Sequence, residues 1–100
     1  MKVYASNSFD VIKSTFDATT NSLNIQVSQA TDRTSAMNIK SYTINQPASI
    51  SNIALSSDKK TITLTLTGIS SNIGYVITTQ GVMNEIVSEK LNKRNINIIG

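Results

Sequence analysis

The chain reads as an all-β protein: a β-sandwich of about seven strands in two antiparallel sheets. Three observations carry this expectation. The run Ser57-Asp58-Lys59-Lys60-Thr61-Ile62-Thr63-Leu64-Thr65-Leu66-Thr67-Gly68 passes from a polar turn into strict threonine/apolar alternation and stops at a glycine. Ile62, Leu64 and Leu66 then share one face of a pleated strand and Thr61, Thr63, Thr65 and Thr67 the other, as in an antiparallel sheet packed on one side. Similar runs recur at roughly 8–12 residue spacing with turn residues between them, and no helix of three turns can be read.

The first strand is expected over Val11 to Phe16, with Ile12 and Phe16 on one face and Ser14 between them, and Asp17 to Asn21 turns the chain. Leu23, Ile25 and Val27 alternate with Asn24, Gln26 and Ser28 as a second strand. Gln29 to Met37 is polar and irregular, with one helical turn expected over Thr34-Ser35-Ala36-Met37. A third strand runs from Ile39 to Ile44, Tyr42 and Ile44 sharing a face, and Asn45-Gln46-Pro47 ends it because proline cannot donate to a ladder. Ile50 to Leu55 is a fourth strand with Ile53 and Leu55 on one face, and the Thr/Leu run is the fifth. Gly68 to Asn72 connects to a sixth over Gly74 to Gln80, where Tyr75, Ile77 and Thr79 share a face. Val82, Ile86 and Leu91 are expected to pin the longer Gly81 to Lys93 connection to the body. Asn95 to Ile99 closes the chain as a seventh strand with Ile96 and Ile98 inward.

One hundred residues make one domain, read as 1–100, with a real core and little surplus stability. The chain has no cysteine and no histidine, which removes disulfides, thiolate metals and the usual acid/base group near neutral pH. Its net charge is +3 and only 15% of residues are charged. The basic residues are scattered, apart from Lys59-Lys60 on a turn and the small group Lys90, Lys93 and Arg94. A nucleic-acid binder has a denser basic stripe, so no nucleic acid is expected as a partner. No stretch is long and apolar enough for membrane insertion, and Met1 to Ser8 lacks the apolar core of a signal peptide.

Four segments give the chain a family likeness. Ser22 to Val27 with Ser28-Gln29-Ala30-Thr31-Asp32 is one. Ser35-Ala36-Met37-Asn38 with Tyr42-Thr43-Ile44 is the second. The hairpin Ser56 to Leu66 and the strand Tyr75-Val76-Ile77-Thr78-Thr79-Gln80-Gly81-Val82 complete the set. Their order and spacing resemble bacterial Ig-like modules of the S-layer type, similar in outline to fibronectin type III domains. Val27 stands where the family often has phenylalanine, and Met83 to Leu91 lacks the Asp and the Gly-Asn that come after the last strand in many members. The resemblance implies an Ig-like, fibronectin type III-like module excised from a larger secreted or cell-surface bacterial protein, or an accessory domain of a polysaccharide-degrading enzyme. Its role would be that of a structural spacer, not an enzyme, with neighbouring domains of the same polypeptide as partners and a monomeric state in isolation. The alternative is a glycan- or protein-binding module that meets cell-wall polysaccharide or another surface protein through loops 29–37 and 81–93.

No catalytic, cofactor or metal site is assigned. A Ser-Lys dyad would draw on Lys13, Lys40 or Lys60, all on polar strands or turns. The acids Asp10, Asp17, Asp32, Asp58, Glu85 and Glu89 form no pair across a cleft. Calcium would need oxygens converging from Asp32, Thr31 and Thr34, or from Asn84 and Glu85, and turn-forming or capping roles suit Asp32 and Asn84 better. For sugar stacking there is no tryptophan. Tyr42 and Tyr75 read as core residues whose hydroxyls reach backbone partners, which leaves Tyr4 and Phe9 as too few for a platform. Lys13 with Asn95 or Asn97 is placed as the Lys–Asn isopeptide pair of some cell-surface Ig-like modules would be. That bond needs a buried acid, and solvent-facing Lys13 and Asn97 are the expectation.

Overall fold

Alternation of β-branched and polar residues dictates most of the architecture, because each strand can bury only one face. The computed structural model describes residues 9–45, 47–85, 91 and 95–100. Seven strands form in order: β1 (Val11–Asp17), β2 (Ser22–Val27), β3 (Tyr42–Ile44), β4 (Ser49–Leu55), β5 (Thr61–Thr67), β6 (Gly74–Thr79) and β7 (Asn95–Ile99). A single helical turn, α1 (Arg33–Ala36), and a 3-10 turn over Ile39–Ser41 lie between β2 and β3.

The strands make two antiparallel sheets, ordered β1-β2-β5-β4 and β3-β6-β7. Between them lies one core built from Leu23, Ile25 and Val27 of β2, Ile62, Leu64 and Leu66 of β5, Tyr75 and Ile77 of β6, and Ile96 and Ile98 of β7. Val82 and Leu91 are buried in it as expected, and Ile86 lies outside the described residues. Thr61, Thr63 and Thr65 turn away from the core but are only half-exposed, because β5 is an inner strand with β2 and β4 on either side.

A β-bulge corrects the expected face of β1, and a second in β4 adds Ile50 to the expected face of Ile53 and Leu55. In β1 the pairing runs Val11↔Val27 and then Lys13↔Gln26, so Ile12 is the extra residue. It is 65% exposed and does not share the core face with Phe16. The bulge lets Val11 and Phe16, five positions apart, both pack against the core. In β4 the register skips between Ile50 and Asn52, which brings both Ile50 and Ile53 inward alongside Leu55. The third strand is shorter than expected: Ile39–Ser41 winds as a 3-10 turn, Ile39 is exposed, and only Tyr42–Ile44 pairs with β6. Asn38 starts that turn by accepting the Lys40 N–H on its side-chain oxygen, a local bond that competes with extension. Phe9 is also not a free surface ring. It is 1% exposed, on the same parity as Val11, and belongs to the core.

The registers fix which loops share an end. Val11, Val27, Thr61, Tyr42 and Thr79 lie at one end of their strands' pairings, here called the upper end, and Asp17, Ser22, Thr67, Gly74 and Ile99 lie at the other.

Candidate functional site

Of the two loops singled out in the sequence, 29–37 and 81–93, the first meets residues 83–85 of the second at the upper end. Thr31 and Asn84 form an antiparallel bridge. The Asp32 N–H donates to the Met83 carbonyl (2.8 Å), the Glu85 N–H to the Ala30 carbonyl (2.9 Å), and the Met83 N–H to Ser35 Oγ (2.9 Å). Asn84 Nδ2 donates to Gln29 Oε1 at 2.8 Å. The Thr31 N–H reaches the Lys59 carbonyl, so the β4–β5 turn joins the same knot, and Lys59 Nζ pairs with the Glu85 carboxylate. That ion pair is half-exposed and adds little stability.

Local sequence explains the geometry. Asp32 is the N-cap of α1: its Oδ2 accepts the Ser35 N–H at 2.9 Å, as a short polar side chain before a helical turn does. The freed carbonyls of that turn are then used twice from β3's side. Ser41 Oγ donates to the Ser35 carbonyl (2.7 Å) and the Tyr42 hydroxyl to the Ala36 carbonyl (2.6 Å). Burial pushes the Tyr42 phenol well above its ordinary pKa, so it remains a donor.

The candidate calcium groups do not converge. Asp32 is engaged in capping, Thr31 is buried, Thr34 is exposed, Asn84 is buried and Glu85 faces Lys59. Among the described residues no three His, Cys, Asp or Glu side chains gather to hold a metal. Lys13, Lys40 and Lys60 are all exposed. Lys13 lies in the sheet of β1, whereas Asn95 and Asn97 lie in the sheet of β7, and all three are exposed. No described acid is buried, and Glu89 lies outside the described residues. So do Tyr4, Lys90, Lys93 and Arg94. The described aromatics offer no stacking row: Phe9, Tyr42 and Tyr75 are buried and Phe16 is half-buried.

The lower end is tied as closely. The Tyr75 hydroxyl accepts the Ser70 N–H (2.9 Å) and donates to the Gly68 carbonyl (3.4 Å). Gly68 turns at φ +75°, where a Cβ would stand 2.8 Å from the Pro47 carbonyl oxygen. The Gly100 N–H donates to the Ile73 carbonyl (3.0 Å) and its carbonyl accepts the Asn72 N–H (2.9 Å). At the upper end the Ser28 N–H donates to the Asp10 carbonyl and Ser28 Oγ accepts the Asp10 N–H. Asp10 at the upper end and Gly100 at the lower end are thus each bonded into the sandwich. Sequence reasoning did not find these two ties; Asp10 and Gly100 carry no signal of their own beyond flanking a strand.

The arrangement defines an all-β sandwich domain whose polar loops are spent on one another. No family model and no curated protein matches the chain. Among solved structures it is similar to the surface layer protein SbsC, domains 1–6, with a TM-score of 0.76 and 15% identity over 93% of this chain and 14% of that one. The S-layer protein rSbsC(31-844) gives the same values. The N-terminal part of the bacterial S-layer protein SbsC gives a TM-score of 0.68 and 16% identity over 92% of this chain and 22% of that one. The chain therefore spans about 14% of the length of the first two structures it matches, and the likeness is one of fold. No helix among the described residues is long and apolar enough to cross a membrane.

Proposed function

We propose that the chain is a non-catalytic, Ig-like module of a larger secreted or cell-surface bacterial protein, and that it sets the distance and orientation of neighbouring domains. The observation that carries this reading is that β1 begins at the upper end, β7 finishes at the lower end, and both approaches are bonded to adjacent loops. A unit built this way holds the domains on its two sides apart by its own length. The Ig-like reading is supported by the strand order β1-β2-β5-β4 and β3-β6-β7, which corresponds to the ABED and CFG sheets of constant-type immunoglobulin sandwiches. It is supported again by Tyr75, whose hydroxyl bonds back to the backbone of residues 68 and 70 from the start of β6, as a tyrosine corner does. The similarity to SbsC domains agrees with a surface-protein setting.

The alternative, a glycan- or protein-binding module, has less support, because the described rings are buried or half-buried and loops 29–37 and 81–85 bond to each other. The test is a tandem of two copies studied by small-angle scattering beside the single chain. A spacer extends the maximum dimension by at least the length of a seven-residue strand, about 24 Å. Two copies folded side by side, or salt-resistant micromolar binding to one polysaccharide by the single chain, would overturn the reading.

A further inference from the structure

We infer that the open edge of β7 is a pairing site for a second copy of this chain, joined edge to edge in antiparallel register about Asn97. The four outer strands of the two sheets are β1, β4, β3 and β7. An outer strand exposes unpaired N–H and C=O groups, and folded proteins normally blunt it with a bulge, a charge, proline or short length. β1 has the bulge at Ile12, next to the exposed Lys13. β4 has a bulge between Ile50 and Asn52. β3 is three residues long, has Pro47 just beyond its end, and Asn45 Oδ1 takes the next ladder position by accepting the Val76 N–H. β7 has none of these devices. Asn-Ile-Asn-Ile-Ile is uncharged, free of proline and regular in its pairing with β6.

The direction of its backbone groups is set by the ladder. The Gly100 N–H donates to the Ile73 carbonyl, while the Val76 N–H points away from β7 toward Asn45. Groups alternate along an antiparallel strand, so Ile96, Ile98 and Gly100 face β6, and Asn95, Asn97 and Ile99 present N–H and C=O to the open edge. No described strand lies on that side.

A second copy is the occupant that fits this edge without further adjustment. Centred on Asn97, antiparallel pairing sets Asn97 against Asn97 and Asn95 against Ile99 on either side. All three are then hydrogen-bonded pairs, because all use the outward-facing groups. Ile96 meets Ile98 on the inner face, continuing the apolar side of the sheet, and Asn97 meets Asn97 on the outer face. No charge within the strand opposes the approach. The 68% exposed Ile99 gains cover from the facing strand. The two three-stranded sheets would become one of six strands. This departs from the monomer expected from the sequence alone. The contact is narrow, so the association belongs to the weak, transient class and shows at high concentration.

The test uses the 1–100 chain in sedimentation equilibrium from about 10 μM to 1 mM, the range in which small interfaces assemble. The expected result is a mass rising from one 10.8 kDa chain toward two. Asn97→Lys adds a charge to the edge, and Asn97→Pro removes a donor that β6 does not use. Each should weaken self-association about tenfold or more while leaving the melting temperature of the dilute chain close to its starting value. Thr15→Lys on β1 should change nothing. Amide exchange gives a second readout: Asn95, Asn97 and Ile99 should exchange faster than Ile96 and Ile98 when dilute, and gain protection as concentration rises. A chain that stays monomeric at 1 mM, a dimer indifferent to both Asn97 variants, or concentration-independent protection at Asn95, Asn97 and Ile99 would overturn the inference; the last would mean that the chain covers its own edge.

Discussion

Leu64 and Thr79 stand for two kinds of buried residue. Leu64 is wholly buried at the centre of β5, facing Leu23 and Ile53 across both neighbouring strands. Leu64→Ala should cost about 2–5 kcal/mol in denaturant unfolding, a large share of what holds a small domain together. Thr79 is equally buried, yet among the described residues its hydroxyl has no hydrogen-bond partner. Thr79→Val keeps the branched shape and deletes the orphan group, so it should raise stability by about 1 kcal/mol or more in the same measurement. Asp58 is a surface case. The Ser56 hydroxyl and then the Lys60 N–H bond its carboxylate and hold its pKa below the ordinary value. A depressed carboxylate adds stability that is present above the unfolded pKa, about 4, and is lost as pH falls through the folded value. Asp58→Asn should flatten that part of the pH–stability curve, and a variant as acid-sensitive as the parent would assign the loss to other carboxylates.

At the scale of elements, the legible strands were those that alternate without interruption. β2, β5, β6 and β7 keep the period of two, and their inward residues were readable one by one. β1 was not, because a bulge reverses parity midway and nothing in Val-Ile-Lys marks it; in β4 the face of Ile53 and Leu55 was readable, and only the inward turn of Ile50 across its bulge was not. A face read from Ile12 therefore failed, while Val11 and Phe9 carried the opposite, correct parity. β3 was read too long because Ile39 has strand propensity, and the Asn38 side chain overrode it locally. Of the candidate site, the loop pair was legible as two polar connections. Their mutual bonding was not, since it joins residues such as Gln29 and Asn84, which lie far apart in the chain. Gly68 shows the same dependence on distant partners. Its turn is readable, but the close approach of Pro47 is not. Gly68→Ala meets both a positive φ and that carbonyl, so it should cost at least about 1–2 kcal/mol in thermal or denaturant unfolding. A smaller loss would mean that the Pro47 segment yields easily.

For the whole molecule, the placement of the first and last strands has a consequence under tension. A pull applied through flanking polypeptide would draw β1 upward along β2 and β7 downward along β6, because the two terminal strands belong to different sheets and leave at opposite ends. Each ladder is then loaded in shear, its bonds sharing the load rather than opening one after another. The weaker of the two is set by regularity. β7 pairs without a break, whereas β1 carries an unpaired isoleucine next to the point where force arrives. β1 should slip first, taking Phe9 and Phe16 out of the core and admitting water above β2. Deleting Ile12 would set Val11 directly beside Lys13 and restore an unbroken ladder against Val27 and Gln26. In single-molecule stretching of tandem repeats, that deletion should raise the rupture force; an unchanged force would place the first mechanical failure at β7 instead.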